Sequence, residues 1–179
     1  GLVEKNLPNG LWKFYTTKTN TLVTEGLFKN GLRDGQWTSY HSNGKRKELA
    51  DYREGKLFGP ARFFDTYGAL VKEMIFQDSI LVGKYTEYYG LEVESYIDPQ
   101  QVKLEGKYVN GKKEGQWVTF FPEGEVAVRE FYVEGLREGP YLEYDLQGNV
   151  LAEATAKKGQ FEGSYKTYSF ADVLLQSGT

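Results

Sequence analysis

Seven glycines, at positions 10, 35, 59, 83, 115, 139 and 163, divide the chain at intervals of 25, 24, 24, 32, 24 and 24 residues. A period of about two dozen residues allows one supersecondary unit per repeat and little else, so the chain reads as a short array rather than a mixed globule. The units run 10–34, 35–58, 59–82, 83–114, 115–138, 139–162 and a partial 163–179. Together they make one domain-sized array over residues 1–179.

Aromatic residues follow the same period. Two residues after the opening glycines stand Trp12, Trp37, Ala61, Tyr85, Trp117, Tyr141 and Tyr165, a column that holds every Trp. Five residues after them stand Tyr15, Tyr40, Phe64, Tyr88, Phe120, Tyr144 and Tyr168. The seventh position before the next opening glycine holds Phe28, Tyr52, Phe76, Tyr108 and Tyr132, with Ala156 the exception. These columns take 18 of the 28 aromatic residues, and the matching glycine columns take 16 of the 21 glycines.

Each unit reads as a β-hairpin. Trp37 to His41 and Arg46 to Tyr52 are β-rich segments joined across Ser42-Asn43-Gly44, and Glu54-Gly55 turns into the next unit. Asn30-Gly31 and Asn110-Gly111 are Asn-Gly turns, whose two central residues need positive φ. Gly59-Pro60 and Gly139-Pro140 place proline at the start of a strand, where a missing N–H does least harm, and the opening glycines read as corners. No segment carries helical periodicity for two turns. One hairpin buries too little apolar surface to offset its ordering entropy, so neighbours must add ladder bonds and ring contacts.

Three units depart from the pattern. The first has Thr19 in place of a glycine and one extra residue. The fourth carries eight extra residues within 90–101, read either as a tolerated extension of its hairpin or as a protruding binding loop with Glu92, Tyr96, Ile97 and Asp98 as contacts. The seventh stops after its first strand, and Phe170 to Leu175 are expected to form a short helix capping the last edge.

The order Gly-x-Trp-x-x-Tyr/Phe, then Gly, then Tyr/Phe-x-x-Gly resembles the MORN repeat, and within it the bacterial MORN repeat variant of antitoxin-like proteins. Trp37-Thr38-Ser39-Tyr40, Asn43-Gly44 and Tyr52-Arg53-Glu54-Gly55 carry the resemblance. Trp117-Val118-Thr119-Phe120, Glu123-Gly124 and Tyr132-Val133-Glu134-Gly135 repeat it. The resemblance implies an all-β fold, a single elongated, twisted antiparallel sheet of successive hairpins. It also implies scaffold, membrane-proximal or interaction roles.

Chemistry is sparse. With no cysteine, disulfides, thiolate metal sites and a cysteine nucleophile are excluded. The single His41 has no motif partners and reads as a solvated strand-end residue. Asp34, Glu114, Glu138 and Glu162 precede opening glycines, but equivalent residues lie two strands apart, about 10 Å. One such row cannot supply the oxygen shell of calcium, so these read as solvated acidic turns. A net charge of −3 with 22 basic and 25 acidic residues argues against nucleic acid as a partner. Lys45-Arg46-Lys47, Lys112-Lys113 and Lys157-Lys158 lie beside Glu48, Glu114 and Glu153 and read as solubility charge.

The expectation is a non-enzymatic scaffold, with no cofactor, that binds a protein partner as a monomer or edge-paired dimer. Membrane or cell-envelope lipid or glycan binding is the alternative. The Trp column is expected in the core. The column five residues on faces the other side by parity and supplies the candidate binding residues Tyr40, Phe64, Tyr88, Phe120 and Tyr144, with Tyr96 from the insertion. Gly1 in place of an initiator Met points to a trimmed start with an export signal upstream, which tilts the expected compartment to the outside of a bacterial cytoplasm.

Overall fold

The computed structural model describes residues 1–91, 98–168 and 174–178. The first strands are β1 (Leu2–Glu4), β2 (Leu7–Tyr15), β3 (Leu22–Lys29), β4 (Leu32–Tyr40), β5 (Arg46–Arg53) and β6 (Lys56–Phe64). Next come β7 (Leu70–Gln77), β8 (Ile80–Tyr88), β9 (Val102–Val109), β10 (Lys112–Phe120) and β11 (Val126–Val133). The rest are β12 (Leu136–Arg137), β13 (Gly139–Tyr144), β14 (Val150–Lys157), β15 (Gln160–Tyr168) and β16 (Leu174–Gly178). All are consecutive antiparallel neighbours in one open sheet, except that β12 and β13 share the place of one strand beside β11. At about 4.8 Å per strand the sheet runs roughly 65–70 Å across, an elongated single layer.

The C-terminal segment is not a helix where it is described. Leu174–Gly178 is a strand that pairs with β15 through Tyr165↔Gly178 and Thr167↔Gln176, so the seventh unit also forms a hairpin. Adding one more strand satisfies the β15 ladder directly, which a helical cap cannot do. Phe170 to Val173 lie outside the described residues, as do Glu92, Tyr96 and Ile97 of the fourth-unit insertion.

The opening glycines are bulges inside strands rather than corners between them. On β4, Trp37 faces Gly26 of β3, yet the next pair is Asp34 with Leu27, so Gly35 and Gln36 are extra. The same slip separates Glu114 from Val118 on β10 and Val82 from Thr86 on β8. Every opening glycine has a positive φ between 68° and 96°, the left-handed region that a bulge of this kind demands. Pro60 and Pro140 therefore sit just after a bulge, where the ladder to the preceding strand is already interrupted.

The true corners are at Asn30-Gly31 and its equivalents, and there units are tied to one another. The Gly31 amide donates to the Pro8 carbonyl at 2.9 Å, Gly55 to Arg33 at 2.8 Å and Gly135 to Lys113 at 2.9 Å. Two of the acidic residues before opening glycines add to this tie. Glu114 accepts from the Glu134 amide at 2.9 Å and Glu138 from the Lys158 amide at 2.8 Å. These two are turn caps on the following unit, not merely solvated acids, because the tight turn leaves an amide pointing at the neighbouring strand.

The core is a row of residues across one face. Trp37 lies between Gly26 and Ala50, Ala61 between Ala50 and Met74, and Trp117 between Gly106 and Glu130. Trp37 and Trp117 are 3% and 1% exposed although only one sheet layer is present. Small residues explain this, because a Cβ on Gly26 or Gly106 would stand 2.2 Å from the indole facing it. The rings thus lie flat on glycine backbone and are flanked edge-on by Phe28 and Tyr52, or by Tyr108 and Tyr132.

Candidate functional site

Cations lie over rings on both faces of the sheet; on the face opposite the Trp rings, Arg53 lies 3.6 Å from the Phe58 ring centroid and Arg46 5.6 Å from that of Phe64. On the Trp face, the Arg33 guanidinium is 4.3 Å from the Trp37 ring centroid, and the Lys113 ammonium is 4.1 Å from that of Trp117. Arg137 covers Tyr141 and Phe161 at 5.5 and 5.1 Å. Burial holds the Lys113 ammonium below the ordinary lysine pKa range. Burial and a carboxylate neighbour push the Tyr85 phenol upward, the hydroxyl donating to Glu87. Tyr141 repeats the arrangement with Glu143 at 2.6 Å. Trp37, Tyr85 and Trp117 are sealed along the middle of this face, while Phe14, Phe161 and Tyr165 toward its ends are 40–50% exposed.

The candidate residues Tyr40, Phe64, Tyr88, Phe120 and Tyr144 project on the other face, and all are half-buried. Tyr96 lies outside the described residues. The hydroxyl of Tyr40 donates to Glu25 at 2.6 Å, that of Tyr88 to Glu73 at 3.1 Å and that of Tyr168 to Glu153 at 2.8 Å. Each carboxylate comes from the residue fifteen positions earlier, and each is also bridged across the strand pair by a cation. Lys13 meets Glu25 at 3.0 Å, Arg62 meets Glu73 at 2.6 Å and Lys166 meets Glu153 at 2.5 Å. The Tyr40 hydroxyl first and Lys13 second hold Glu25 below the usual carboxylate range. Lys166 and Tyr168 do the same for Glu153.

Beside these rings, toward the Asn-Gly turn edge, aliphatic side chains stand exposed on the same face in alternate units, the first, third and fifth. Leu27, Leu32, Ile75, Ile80, Val133 and Leu136 are between 39% and 52% exposed. Periodicity alone did not single them out, because their columns also hold Lys56, Lys107, Lys112 and Gln160.

The opposite turn edge is polar and braced. Asp65 is 7% exposed; its burial opposes ionisation, but backbone amides of Leu91, Ala69, Tyr67 and Gly68 outweigh this and hold its pKa below normal. Its carboxylate accepts the Leu91 amide at 2.8 Å, which anchors the start of the fourth-unit insertion. At the other end of that insertion Asp98 caps the Gln100 amide at 2.8 Å, a turn role. His41 is half-buried rather than solvated, with Nε2 2.9 Å from the Phe64 carbonyl of the next unit. That contact replaces water, since stacking of the units brings the carbonyl within reach. Among the described residues, no group of three or more His, Asp or Glu is placed to hold a metal ion.

The model of the MORN repeat variant family matches residues 33–54. No curated protein matches the chain. The matched segment begins at the cation over Trp37 and takes in the Gly35 bulge, the Gly44 hairpin, the Tyr52 ring and the turn residue Glu54. Residues 33–54 thus match the MORN repeat variant, and they lie within an array of hairpins built on the same bulges, turns and ring rows.

Proposed function

We propose that this chain is a non-catalytic repeat scaffold that binds a protein partner through the face carrying Tyr40, Phe64, Tyr88, Phe120 and Tyr144. One observation supports it above the rest: Leu27 and Leu32, Ile75 and Ile80, and Val133 and Leu136 stand exposed as apolar pairs on this face, recurring in alternate units. Exposed apolar patches rimmed by polar groups are the usual mark of a protein-binding surface. Two of the rings behind them, Tyr40 and Tyr88, are already held by carboxylates, so little of their side-chain freedom is lost on binding.

Partner capture from a lysate of the source organism, with cross-linking and mass spectrometry, tests this. Leu32→Glu with Leu136→Glu, and separately Tyr40→Ala with Phe120→Ala, should lose the partners that the parent chain retains. Glu123→Gln, on the opposite turn edge, should keep them. A partner set unchanged by both pairs removes the proposal.

An anionic lipid surface is the second reading, favoured by exposed Lys29 and Lys107 on the aliphatic face, where Arg53 is instead stacked 3.6 Å from the Phe58 ring centroid. Each free cation would contribute about 1 kcal/mol there. Yet Lys56 pairs with Asp78 at 3.7 Å and Lys112 with Glu134 at 3.6 Å, and exposed Glu54 shares the rim. This neutralisation favours a protein. Co-flotation with phosphatidylserine vesicles at low salt would reverse the preference.

A further inference from the structure

Several basic residues on the binding face are neutralised by glutamates, Lys84 by Glu105 at 3.2 Å among them, while Arg46 lies 5.6 Å from the Phe64 ring centroid. Lys13, Arg62 and Lys166 each face a glutamate at 3.0 Å or less. Arg129 does not. Its cross-strand neighbours are Val118 and Leu142, and among the described residues its guanidinium has no ion pair.

Arg129 also stands where the repeat elsewhere puts the tyrosine's carboxylate. Tyr40, Tyr88 and Tyr168 find a glutamate fifteen residues earlier, whereas Tyr144 finds Arg129, 5.7 Å from its ring centroid. The Tyr144 hydroxyl has no hydrogen-bond partner among the described residues. The two line a cleft of about 470 Å³ with Val126, Leu146, Gln147 and Glu125. An exposed guanidinium stacked near a ring, beside a free phenol and above an apolar floor, is a receptor for a carboxylate. Glu125 makes no ion pair with Arg129, and its presence in the cleft disfavours a polyanion such as nucleic acid.

We propose that Arg129 and the Tyr144 hydroxyl bind a single Asp or Glu side chain of an extended segment of the protein partner, which makes this cleft the specificity point of the surface. The inference rests on the protein-binding reading above and narrows it to an acidic partner segment. Charge complementarity is the ground for this occupant, because the partner's carboxylate would complete the pattern that Glu25, Glu73 and Glu153 complete within the chain.

A display library of random peptides, selected against the full chain, tests it. Peptides rich in Asp or Glu should be enriched on the parent chain and bind Arg129→Gln about tenfold more weakly. Arg129→Glu should select Lys- or Arg-containing peptides instead. Lys72→Gln, on the opposite face where the parent residue pairs with Glu87, should behave as the parent chain does. Circular dichroism of each variant verifies the fold. Acidic peptides that bind Arg129→Gln equally, or selected peptides without acidic residues, overturn the inference while leaving partner binding intact. A library that yields no peptide also overturns it. Loss of the protein-binding reading is read separately, in partner capture.

Discussion

The glycines under the tryptophans are the residues on which this single-layer core depends most. At Gly106 the φ is ordinary and the constraint is space, with the Trp117 ring 2.2 Å from where a Cβ would be. At Gly44 the space is open and the constraint is a φ of +84°. Gly106→Ala is therefore expected to cost about 3 kcal/mol by overpacking, and Gly44→Ala about 1–2 kcal/mol by backbone strain. Denaturant unfolding measures both. In a Trp117→Ala background the Gly106→Ala cost should fall below about 1 kcal/mol, while the Gly44→Ala cost should not change. The carboxylates make a second residue-scale prediction. Glu25, Asp65 and Asp145 have folded pKa values below their ordinary ones, so each stabilises the fold at neutral pH and loses that contribution as the pH falls through its folded value. The urea midpoint should hold between about pH 7 and 5 and drop below about pH 4, with a shallower drop in Asp65→Asn.

At the scale of one strand and its turn, the bulge and the cap act together. The bulge at Gly139 ends the pairing of Arg137 with Tyr132, and the Glu138 carboxylate beside it reaches the Lys158 amide at 2.8 Å. Glu138→Ala removes that acceptor from an exposed turn, with an expected loss of about 0.5–1.5 kcal/mol. Hydrogen exchange of the Lys158 amide should accelerate while the midstrand amides of β14 stay protected. Unchanged exchange at Lys158 would mean that water serves the turn equally well. The acidic column was legible in the sequence, but its use was not. The acceptor and its amide lie 20 residues apart, and only side-by-side units bring them together.

Across the whole molecule the ring contacts form separate runs. One passes from Trp12 through Phe14, Phe28 and Trp37 to Tyr52, and another from Tyr85 through Tyr108 and Trp117 to Tyr132. Tyr141 and Phe161 make a third. The first break coincides with Ala61, which with Ala50 leaves no ring in the third unit's place in the row. In a quasi-one-dimensional array each unit is supported only by its neighbours, so energetic coupling should weaken where the rings stop. Trp37→Ala is expected to lower amide protection across β2 to β5 and leave β9 to β11 near the parent level, as read by native-state hydrogen exchange. Equal loss across both regions would show one cooperative block instead.

The period, the hairpins, the positive-φ turns and the assignment of the Trp column to the core were all present in the order of residues. Each is a local demand, for a turn conformation or for strand parity, that a neighbour in the chain can reveal. One long-range signal was also legible there, since Gly1, Gly26 and Gly106 each precede a Trp by eleven residues, the spacing that puts glycine beneath indole. What the residues could not state was the register between strands. Register turned the opening glycines from corners into bulges, gave Glu114 and Glu138 their amides, added β16 where a helix was expected, and left Arg129 without the carboxylate its row-mates have. Pairing across strands is a choice among near-equal alignments, and only the packed sheet, with indoles seated on glycines, makes one of them lowest in free energy.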